Sequence, residues 1–221
     1  MYFWILGPKG GLAEKVADEV DGKKIMFANQ MDTDEEEDAI YFNDSSDTYH
    51  FGDVFYAFLC GEKTGRAIRY DKKTKKAKVV MDHLHFPNGL ALSKDGSFVL
   101  SCEVPTQFVH RYWAKGPKAG TRDIFAKLPG YADNIRRTET WDFWVALHSK
   151  KTPFSRRKAA CRRRETMPGE VLEILEDSER KNMKFVSEVQ ERYVSSGLAV
   201  WVCVSAFRLD SRSLVISTIS F

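Results

Sequence analysis

The sequence predicts an all-β protein built as a β-propeller, and three observations support this prediction. One motif recurs: an aromatic residue, an asparagine within three residues, a short apolar strand, a polar turn and a second strand rich in aromatic and β-branched residues. The segments between the copies read as two further short strands, and helical periodicity is weak. Repeats of roughly 40 to 50 residues with four strands are typical of propeller blades. The copies cover residues 27–44, 86–103 and 131–148, with a weaker copy at 185–202.

The asparagines define the register of the repeat. Asn88 stands between a proline and a glycine, directly before an alternating apolar strand. Asn29 and Asn134 occupy the matching places 59 residues earlier and 46 residues later, and Ser187 takes this place in the weaker copy. Each asparagine is therefore predicted to lie where the first strand of a blade begins.

Four segments depart from this plan. Residues 11–20 and 53–63 are the exceptions that show helical periodicity, and we expect short insertions between strands there rather than core helices. The acidic run at 32–38 is expected to be a solvated hairpin tip, since it lacks the glycine and the spaced glutamate of a calcium-binding EF-hand loop. The basic run at 156–164 is expected to be an exposed, disordered junction.

The composition limits the classes of function. The chain of 221 residues is 43% apolar and 13% aromatic, and its net charge of +3 gives no argument for nucleic-acid binding. No run of 18 apolar residues predicts a membrane span, and the opening MYFWIL is too short for a signal peptide. The four cysteines form no CxxC pair and have no zinc-site spacing, so a disulfide stays an open alternative.

Several segments resemble the strictosidine synthase-like proteins of plants, which are six-bladed propellers related to paraoxonases and to adipocyte plasma membrane-associated protein. The segments that carry the resemblance are GPKGGLAE, YFNDSS, KTGRAIRYD, HFPNGLALSKDGSFVLSCE, RYWAKGPKAGT, LPGYADNIRR and FWVALHSKKTPFSR. The resemblance covers residues 6–156 and about 169–192, and it implies the six-bladed fold.

The chain also departs from the family, because six blades need roughly 270 residues at this repeat length. We therefore expect one incomplete propeller domain over residues 1–221, with about four blades' worth of sheets, a basic junction at 157–168 and a divergent tail at 193–221. We expect the family's N-terminal anchor and first blade to be missing from this chain. An interrupted or alternatively spliced gene product is the simplest hypothesis.

The resemblance implies a calcium site on the propeller axis. In paraoxonase-like relatives, asparagines and an aspartate at the inner ends of blades hold calcium, and the matching positions are Asn29, Asn88, Asp133 and Asn134. Calcium takes six to eight oxygen ligands from separate chain segments, which suits a propeller. The alternative is that each asparagine caps its own turn. Two features count against the metal. Gln30 stands where relatives usually have aspartate, and the glutamate that relatives supply from an N-terminal blade is absent.

Catalytic candidates are few. His83 and His85 alternate along a predicted strand, so both could face the tunnel as bases for water activation, or they could be surface histidines. Strictosidine synthase itself uses a glutamate near the end of the chain, and Ser187 stands at that position here. Glu188 is adjacent but is expected on the opposite face of the strand. Synthase activity is therefore not expected.

The resemblance leads to three expected functions. The first is a hydrolase-like propeller that uses calcium to act on an ester or lactone, and the alternatives are an amine–aldehyde condensation or a non-catalytic chain. The substrate would be a small molecule, and open blade edges could drive self-association. Family members enter the secretory pathway, endoplasmic reticulum or vacuole, in which case Asn43, with Ser45 two positions on, would be a glycosylation site.

Overall fold

Antiparallel strands and the turns between them make up nearly all of the described structure. The computed structural model describes residues 3–5, 12, 14–150, 159–164, 171–176, 187–194, 197–203 and 218–219. Two short hairpins come first in the chain. They pair β1 (Phe3–Ile5) with β2 (Glu14–Ala17) and β3 (Glu19–Val20) with β4 (Lys23–Lys24).

Three four-stranded sheets follow, which we call blades 1, 2 and 3. In each blade, strands that are consecutive in sequence are neighbours in the sheet. Blade 1 contains β5 (Ala28–Asp34), β6 (Ala39–Asp44), β7 (Gly65–Asp71) and β8 (Lys76–Leu84). Blade 2 contains β9 (Pro87–Leu92), β10 (Phe98–Glu103), β11 (Phe108–Trp113) and β12 (Arg122–Lys127). Blade 3 contains β13 (Gly130–Arg137), β14 (Asp142–Lys150), β15 (Ala159–Arg164) and β16 (Val171–Glu176).

A three-stranded sheet continues the series with β17 (Glu188–Val194), β18 (Gly197–Cys203) and β19 (Thr218–Ile219). The first strands of successive sheets contact one another, β5 with β9, β9 with β13 and β13 with β17. These inner strands therefore surround a common axis, and the described residues form an incomplete β-propeller. The predicted four-strand repeat is confirmed.

Two apolar clusters hold the blades together. Alternate residues of a strand face opposite sides of its sheet, so each blade presents apolar side chains to both neighbours. Between blades 1 and 2 the packed residues include Tyr41, Met81, Leu90 and Val99. Between blades 2 and 3 they include Phe98, Leu100, Phe125, Phe143 and Val145, with the Phe98 and Phe143 ring centroids 6.4 Å apart.

A buried ion pair joins blade 1 to the hairpin that precedes it. Nη2 of Arg66 donates to Oδ2 of Asp44 at 2.6 Å, and the side chains are 4% and 0% exposed. The same guanidinium donates to the carbonyls of Val20 and Lys24 in the β3–β4 hairpin, at 3.2 and 2.9 Å. Asp44 also accepts the backbone N–H of Phe27 at 2.8 Å, which fixes the entry to β5.

The structure overturns two expectations about the irregular segments and agrees with a third. Residues 14–17 form a strand rather than an insertion between strands, whereas Val54–Cys60 is a short helix, α1, inserted between β6 and β7 after a 3₁₀ turn, as predicted. The basic run is not disordered over Ala159–Arg164, because that stretch pairs with β14 and β16 as a strand of blade 3. Within the described residues, no helix has the length and apolar character needed to cross a bilayer.

The acidic tip is exposed at Glu35, Glu36 and Glu37, as predicted, but Asp34 at the start of the turn is buried. Asp34 is 3% exposed, and its Oδ1 accepts the backbone N–H groups of Glu36 and Glu37 at 3.1 Å each, which closes the turn. Nζ of Lys115, from blade 2, lies 3.5 Å from Asp34 Oδ2 and 3.5 Å from a Glu36 carboxylate oxygen. The tip is therefore tied to the neighbouring blade.

Candidate functional site

The inner strands of blades 1, 2 and 3 each carry a bulge at the same place. Pairing with the second strand of each blade skips from Ala28 to Met31 in β5, from Pro87 to Leu90 in β9, and from Ala132 to Ile135 in β13. In every case two inner residues oppose one residue of the partner strand, which locally disrupts the ladder and re-aims side chains. The skipped pairs are Asn29 with Gln30, Asn88 with Gly89, and Asp133 with Asn134. The four predicted metal ligands thus all lie on bulges next to the axis.

Two of these ligands are in direct contact. Nδ2 of Asn88 donates to Oδ1 of Asp133 at 2.7 Å, which joins blade 2 to blade 3. Asp133 is 8% exposed. A Cβ atom added to Gly89 would lie 2.5 Å from the Asp133 carbonyl oxygen, so this contact depends on the absence of a side chain at position 89. The proline–asparagine–glycine sequence therefore lets two inner strands approach closely.

The other two candidates are held by residues just outside the ends of β6 and β17. Nδ2 of Asn29 donates to the Ser45 hydroxyl at 3.1 Å, and the backbone N–H of Asn134 donates to the Ser187 carbonyl at 3.0 Å. The side-chain bonds of Asn29 and Asn88 reach other strands. The alternative prediction, that each asparagine caps its own turn, does not describe these two residues.

The oxygen atoms at this site fit a hard cation. Oδ1 of Asn88 is buried and has no hydrogen-bond partner among the described residues. A buried acceptor without a partner is unfavourable, and such groups often mark a place where an ion or water belongs. The Asp133 carboxylate beside it supplies the negative charge, and amide and carboxylate oxygens are the ligands that calcium prefers. The described residues contain no cluster of three His, Cys, Asp or Glu side chains that could hold a metal, so a site here would depend on the asparagine amides.

An aromatic cluster lies where the chain enters the inner strands. The aromatic residues that open the repeats, Phe27, Phe86 and Tyr131, pack in one cluster with Ala57 of α1. The Phe27 and Phe86 rings meet edge to face with centroids 5.4 Å apart. The insertion that carries α1 therefore packs against the residues that lead into the inner strands.

The structure contradicts the predicted glycosylation at Asn43. This residue is 0% exposed, in the middle of blade 1. Its Nδ2 donates to the carbonyls of Asn88 and Gly89 at 2.9 and 3.2 Å, and its Oδ1 accepts the Ser101 hydroxyl at 3.1 Å. A glycan on Asn43 is incompatible with this packing, so the sequon is a structural element that supports the Asn88 loop.

The two candidate histidines do not form a pair facing the tunnel. His83 has a positive φ of 53°, which breaks the alternation of the strand, and its side chain is 77% exposed beside Asp82. His85 is half-buried, and burial lowers its pKa. Its backbone N–H donates to a carboxylate oxygen of Glu103 at 2.7 Å. The alternative in which both histidines face the tunnel assumed a regular strand up to His85, whereas the alternative of a surface histidine describes His83.

Glu103 is the centre of a polar cluster at the end of the blades where His85 lies. Its carboxylate accepts the His85 N–H and the Thr106 hydroxyl, and His110 Nε2 lies 3.4 Å from Oε2. Burial alone would raise the pKa of Glu103, but its contacts with His110, Thr106 and the His85 N–H outweigh burial and lower the pKa to about 2. The charged carboxylate therefore joins the ends of β8, β10 and β11.

Replacing Glu103 with glutamine is expected to lower the free energy of unfolding at pH 7 by at most about 3 kcal/mol. The folded pKa lies below the ordinary value, so the contribution of Glu103 is complete above pH 4.5 and is lost as the pH falls toward 2. Urea unfolding of Glu103→Gln and of the unmodified chain at several pH values measures this. If the difference in free energy of unfolding between the two proteins stayed constant down to pH 2, the lowered pKa of Glu103 would be wrong.

The strand that follows blade 3 brings Ser187 and Glu188 near the axis. Ser187 is 8% exposed and its backbone carbonyl accepts the Asn134 backbone N–H, so it stands next to a candidate ligand. Oε1 of Glu188 accepts Nε–H of Arg136 at 2.5 Å. Glu188 is therefore held in an ion pair with β13, which does not suit the role of a free base.

Sequence reasoning missed the role of Gln30. This residue was counted against a metal site, yet it is 7% exposed and its amide makes three hydrogen bonds to the inner strands of blades 2 and 3. Its partners lie 60 and 105 residues away, so no local pattern could have identified them. The only signal in the sequence was its position after Asn29.

Comparisons with known proteins agree with this architecture. The family model for strictosidine synthase matches residues 29–117. Strictosidine synthase-like protein 1 of Arabidopsis thaliana is 74% identical over 216 residues, covering 85% of this chain and 55% of its own length. Strictosidine synthase-like protein 9 of Arabidopsis thaliana is 55% identical over 216 residues, covering 85% of this chain and 58% of its own length. The chain therefore spans a little over half the length of these curated relatives.

Solved structures share the fold at low sequence identity. A gluconolactonase from Xanthomonas campestris superposes with a TM-score of 0.63 at 15% identity, covering 90% of this chain and 61% of its own. Regucalcin from Agrobacterium tumefaciens, a calcium-binding protein, superposes with a TM-score of 0.57 at 13% identity, covering 83% of this chain and 55% of its own. The fold is thus that of these propellers, and the sequence places the chain in the strictosidine synthase-like family.

Proposed function

We propose that this chain belongs to a hydrolase-like propeller that acts on an ester or lactone, with calcium held at the axis by Asn88 and Asp133 together with Asn29 and Asn134. The observation that carries the proposal is the buried, unpartnered Oδ1 of Asn88 beside the Asp133 carboxylate. A bound calcium ion would polarise a carbonyl group as a Lewis acid.

The residues of the chain supply the binding and the shape of the site. Asp133 contributes one negative charge in a place that is 8% exposed, where electrostatic interactions are stronger than in water. Asn88 contributes a neutral oxygen whose loop is fixed by Asn43 from the neighbouring strand. The resemblance to a gluconolactonase and to a calcium-binding propeller supports the proposal as an analogy of fold, since function depends on the residues of the site.

The family match also brings a second candidate, a condensation between an amine and an aldehyde. Such a ring closure needs a group that removes a proton. Ser187 lacks a carboxylate, and the carboxylate of Glu188 is engaged by Arg136. We therefore prefer the hydrolase proposal.

Calcium is expected to stabilise the unmodified chain and to have no such effect on Asn88→Ala or Asp133→Asn. A ligand at about 100 times its Kd adds about 2.7 kcal/mol to the folded state. For a chain of this size that corresponds to a rise in Tm of about 5–10 °C. Thermal unfolding with and without calcium measures the shift. Glu139→Gln, which removes an exposed charge from the far end of blade 3, is the control and should keep the full shift.

Turnover distinguishes the two candidate reactions. Incubation with a panel of aryl esters and lactones is expected to give calcium-dependent hydrolysis that Asn88→Ala abolishes. A condensation product from tryptamine and an aldehyde, with no hydrolysis of any ester or lactone, would contradict the proposal. A chain that gains no stability from calcium would contradict the metal site itself.

A further inference from the structure

Gln30 links the inner strands of all three blades. Its Oε1 accepts the backbone N–H of Leu90 at 2.9 Å and that of Ile135 at 3.1 Å, and its Nε2 donates to the Ile135 carbonyl at 2.9 Å. The residue lies on the bulge of β5 and is 7% exposed. One buried amide therefore connects β5 to both β9 and β13.

These bonds satisfy backbone groups that the sheets leave unpaired. Each inner strand is the edge of its sheet, so one row of its N–H and C=O groups faces the axis without a ladder partner. Buried backbone groups need a partner, and a side chain from the facing strand can supply it. Asp32 does the same one step further along β5, where its Oδ2 accepts the Leu92 N–H at 2.9 Å.

The place of Gln30 relates it to the candidate calcium site. Leu90 follows Asn88 by two residues, and Ile135 follows Asp133 by two residues. Gln30 therefore bonds to the residues two positions after Asn88 and Asp133, the two residues whose side chains contact each other. Any change in these bonds alters the separation of β9 and β13 where Asn88 meets Asp133.

We infer that Gln30 is a positioning residue that sets the spacing of Asn88 and Asp133 and thereby the affinity of the axial site for calcium. This inference rests on the proposed function. Gln30 acts through backbone bonds, since its amide oxygen and nitrogen are both used by Leu90 and Ile135. Partners that orient metal ligands in this way typically change metal affinity by 10–100-fold when they are mutated.

Glutamine is the only common residue whose side chain has this length and offers both a hydrogen-bond acceptor and a donor. Gln30→Met keeps the approximate length and removes all three bonds. Gln30→Glu keeps the acceptor for the two N–H groups but places an oxygen against the Ile135 carbonyl. We therefore expect Gln30→Met to weaken calcium binding most and Gln30→Glu to be intermediate.

The test is calorimetric titration of the 221-residue chain with calcium alone, with hydrogen exchange of the Leu90 and Ile135 amides as a readout that needs no metal. Gln30→Met is expected to weaken calcium binding by about tenfold or more, and to speed exchange of both amides in the presence of EDTA. Asp32→Leu is the matched control. It removes a similar bond to β9, but at Leu92, which is two residues further from Asn88 than Leu90 is. It should leave the calcium Kd within about twofold, since sites that share no partner act nearly independently.

The possible outcomes distinguish the positioning role of Gln30 from the proposed calcium-dependent function. Equal calcium affinity in Gln30→Met and the unmodified chain would overturn the positioning role while leaving the proposed function intact. Equal weakening by Gln30→Met and Asp32→Leu would also overturn it, because the effect would then be general destabilisation. An unmodified chain that binds no calcium would overturn the proposed function and the inference with it, even if the amide exchange of Gln30→Met is faster.

Discussion

Replacing Arg66 with methionine is expected to lower the free energy of unfolding by about 3–5 kcal/mol, the usual cost of removing one partner of a buried ion pair. The change leaves Asp44, which is 0% exposed, without its cation. It also removes the donors to the Val20 and Lys24 carbonyls, so the β3–β4 hairpin loses its attachment to blade 1. Denaturant unfolding at pH 7 measures the loss.

Three controls identify the mechanism. Burial raises the pKa of Asp44 even with Arg66 present, so acidification should protonate this carboxyl in the folded variant and recover part of the lost stability. The double variant Arg66→Met with Asp44→Asn should be more stable than Arg66→Met alone at pH 7, because it contains no unpaired charge. Lys15→Met, which breaks the half-exposed Lys15–Asp18 pair, should cost less than about 1 kcal/mol. Similar losses for Lys15→Met and Arg66→Met would contradict the account.

Replacing Gly89 with alanine is expected to cost about 3 kcal/mol and to abolish calcium-dependent stabilisation. The added Cβ would lie 2.5 Å from the Asp133 carbonyl oxygen and 2.9 Å from the Ile135 nitrogen. Both are backbone atoms, so the inner strands of blades 2 and 3 must separate, and the contact between Asn88 and Asp133 lengthens. Thermal and denaturant unfolding, each with and without calcium, measure the two effects.

Gly52→Ala is the matched control for this prediction. A Cβ at Gly52 meets nothing within 4 Å and requires no unusual backbone conformation. Its effect on stability should stay within about 0.5 kcal/mol, as for most surface substitutions. If Gly89→Ala were equally mild, the close approach of β9 and β13 at the axis would be wrong.

The repeat itself could be predicted from the sequence because its signals are local. Alternating apolar strands, turn glycines and an asparagine at a fixed place recur in each copy, and they gave the four-stranded blades and the inner position of Asn29, Asn88 and Asn134. The inserted helix Val54–Cys60 was visible for the same reason. The family resemblance indicated that Asp133 belongs to the same candidate site as the asparagines. The spacing of these residues alone did not indicate this.

The rest of the site depends on contacts that span many residues. The three bulges shift the register by one residue each, and the propensities of short segments do not report such shifts. Asn43 looked like a glycan acceptor because its sequon is local, whereas its bonds to Asn88 and Gly89 cross 45 and 46 residues. Gln30 and Glu103 were missed for the same reason.

The central claim is that the inner strands present Asn88 and Asp133 to one calcium ion. Anomalous diffraction from crystals of the chain grown with calcium, or with terbium in its place, tests this most directly. The account predicts a peak about 2.3–2.6 Å from Oδ1 of Asn88 and from a carboxylate oxygen of Asp133. A peak found only at the acidic tip of residues 32–38, or none at the axis at saturating metal, would contradict it.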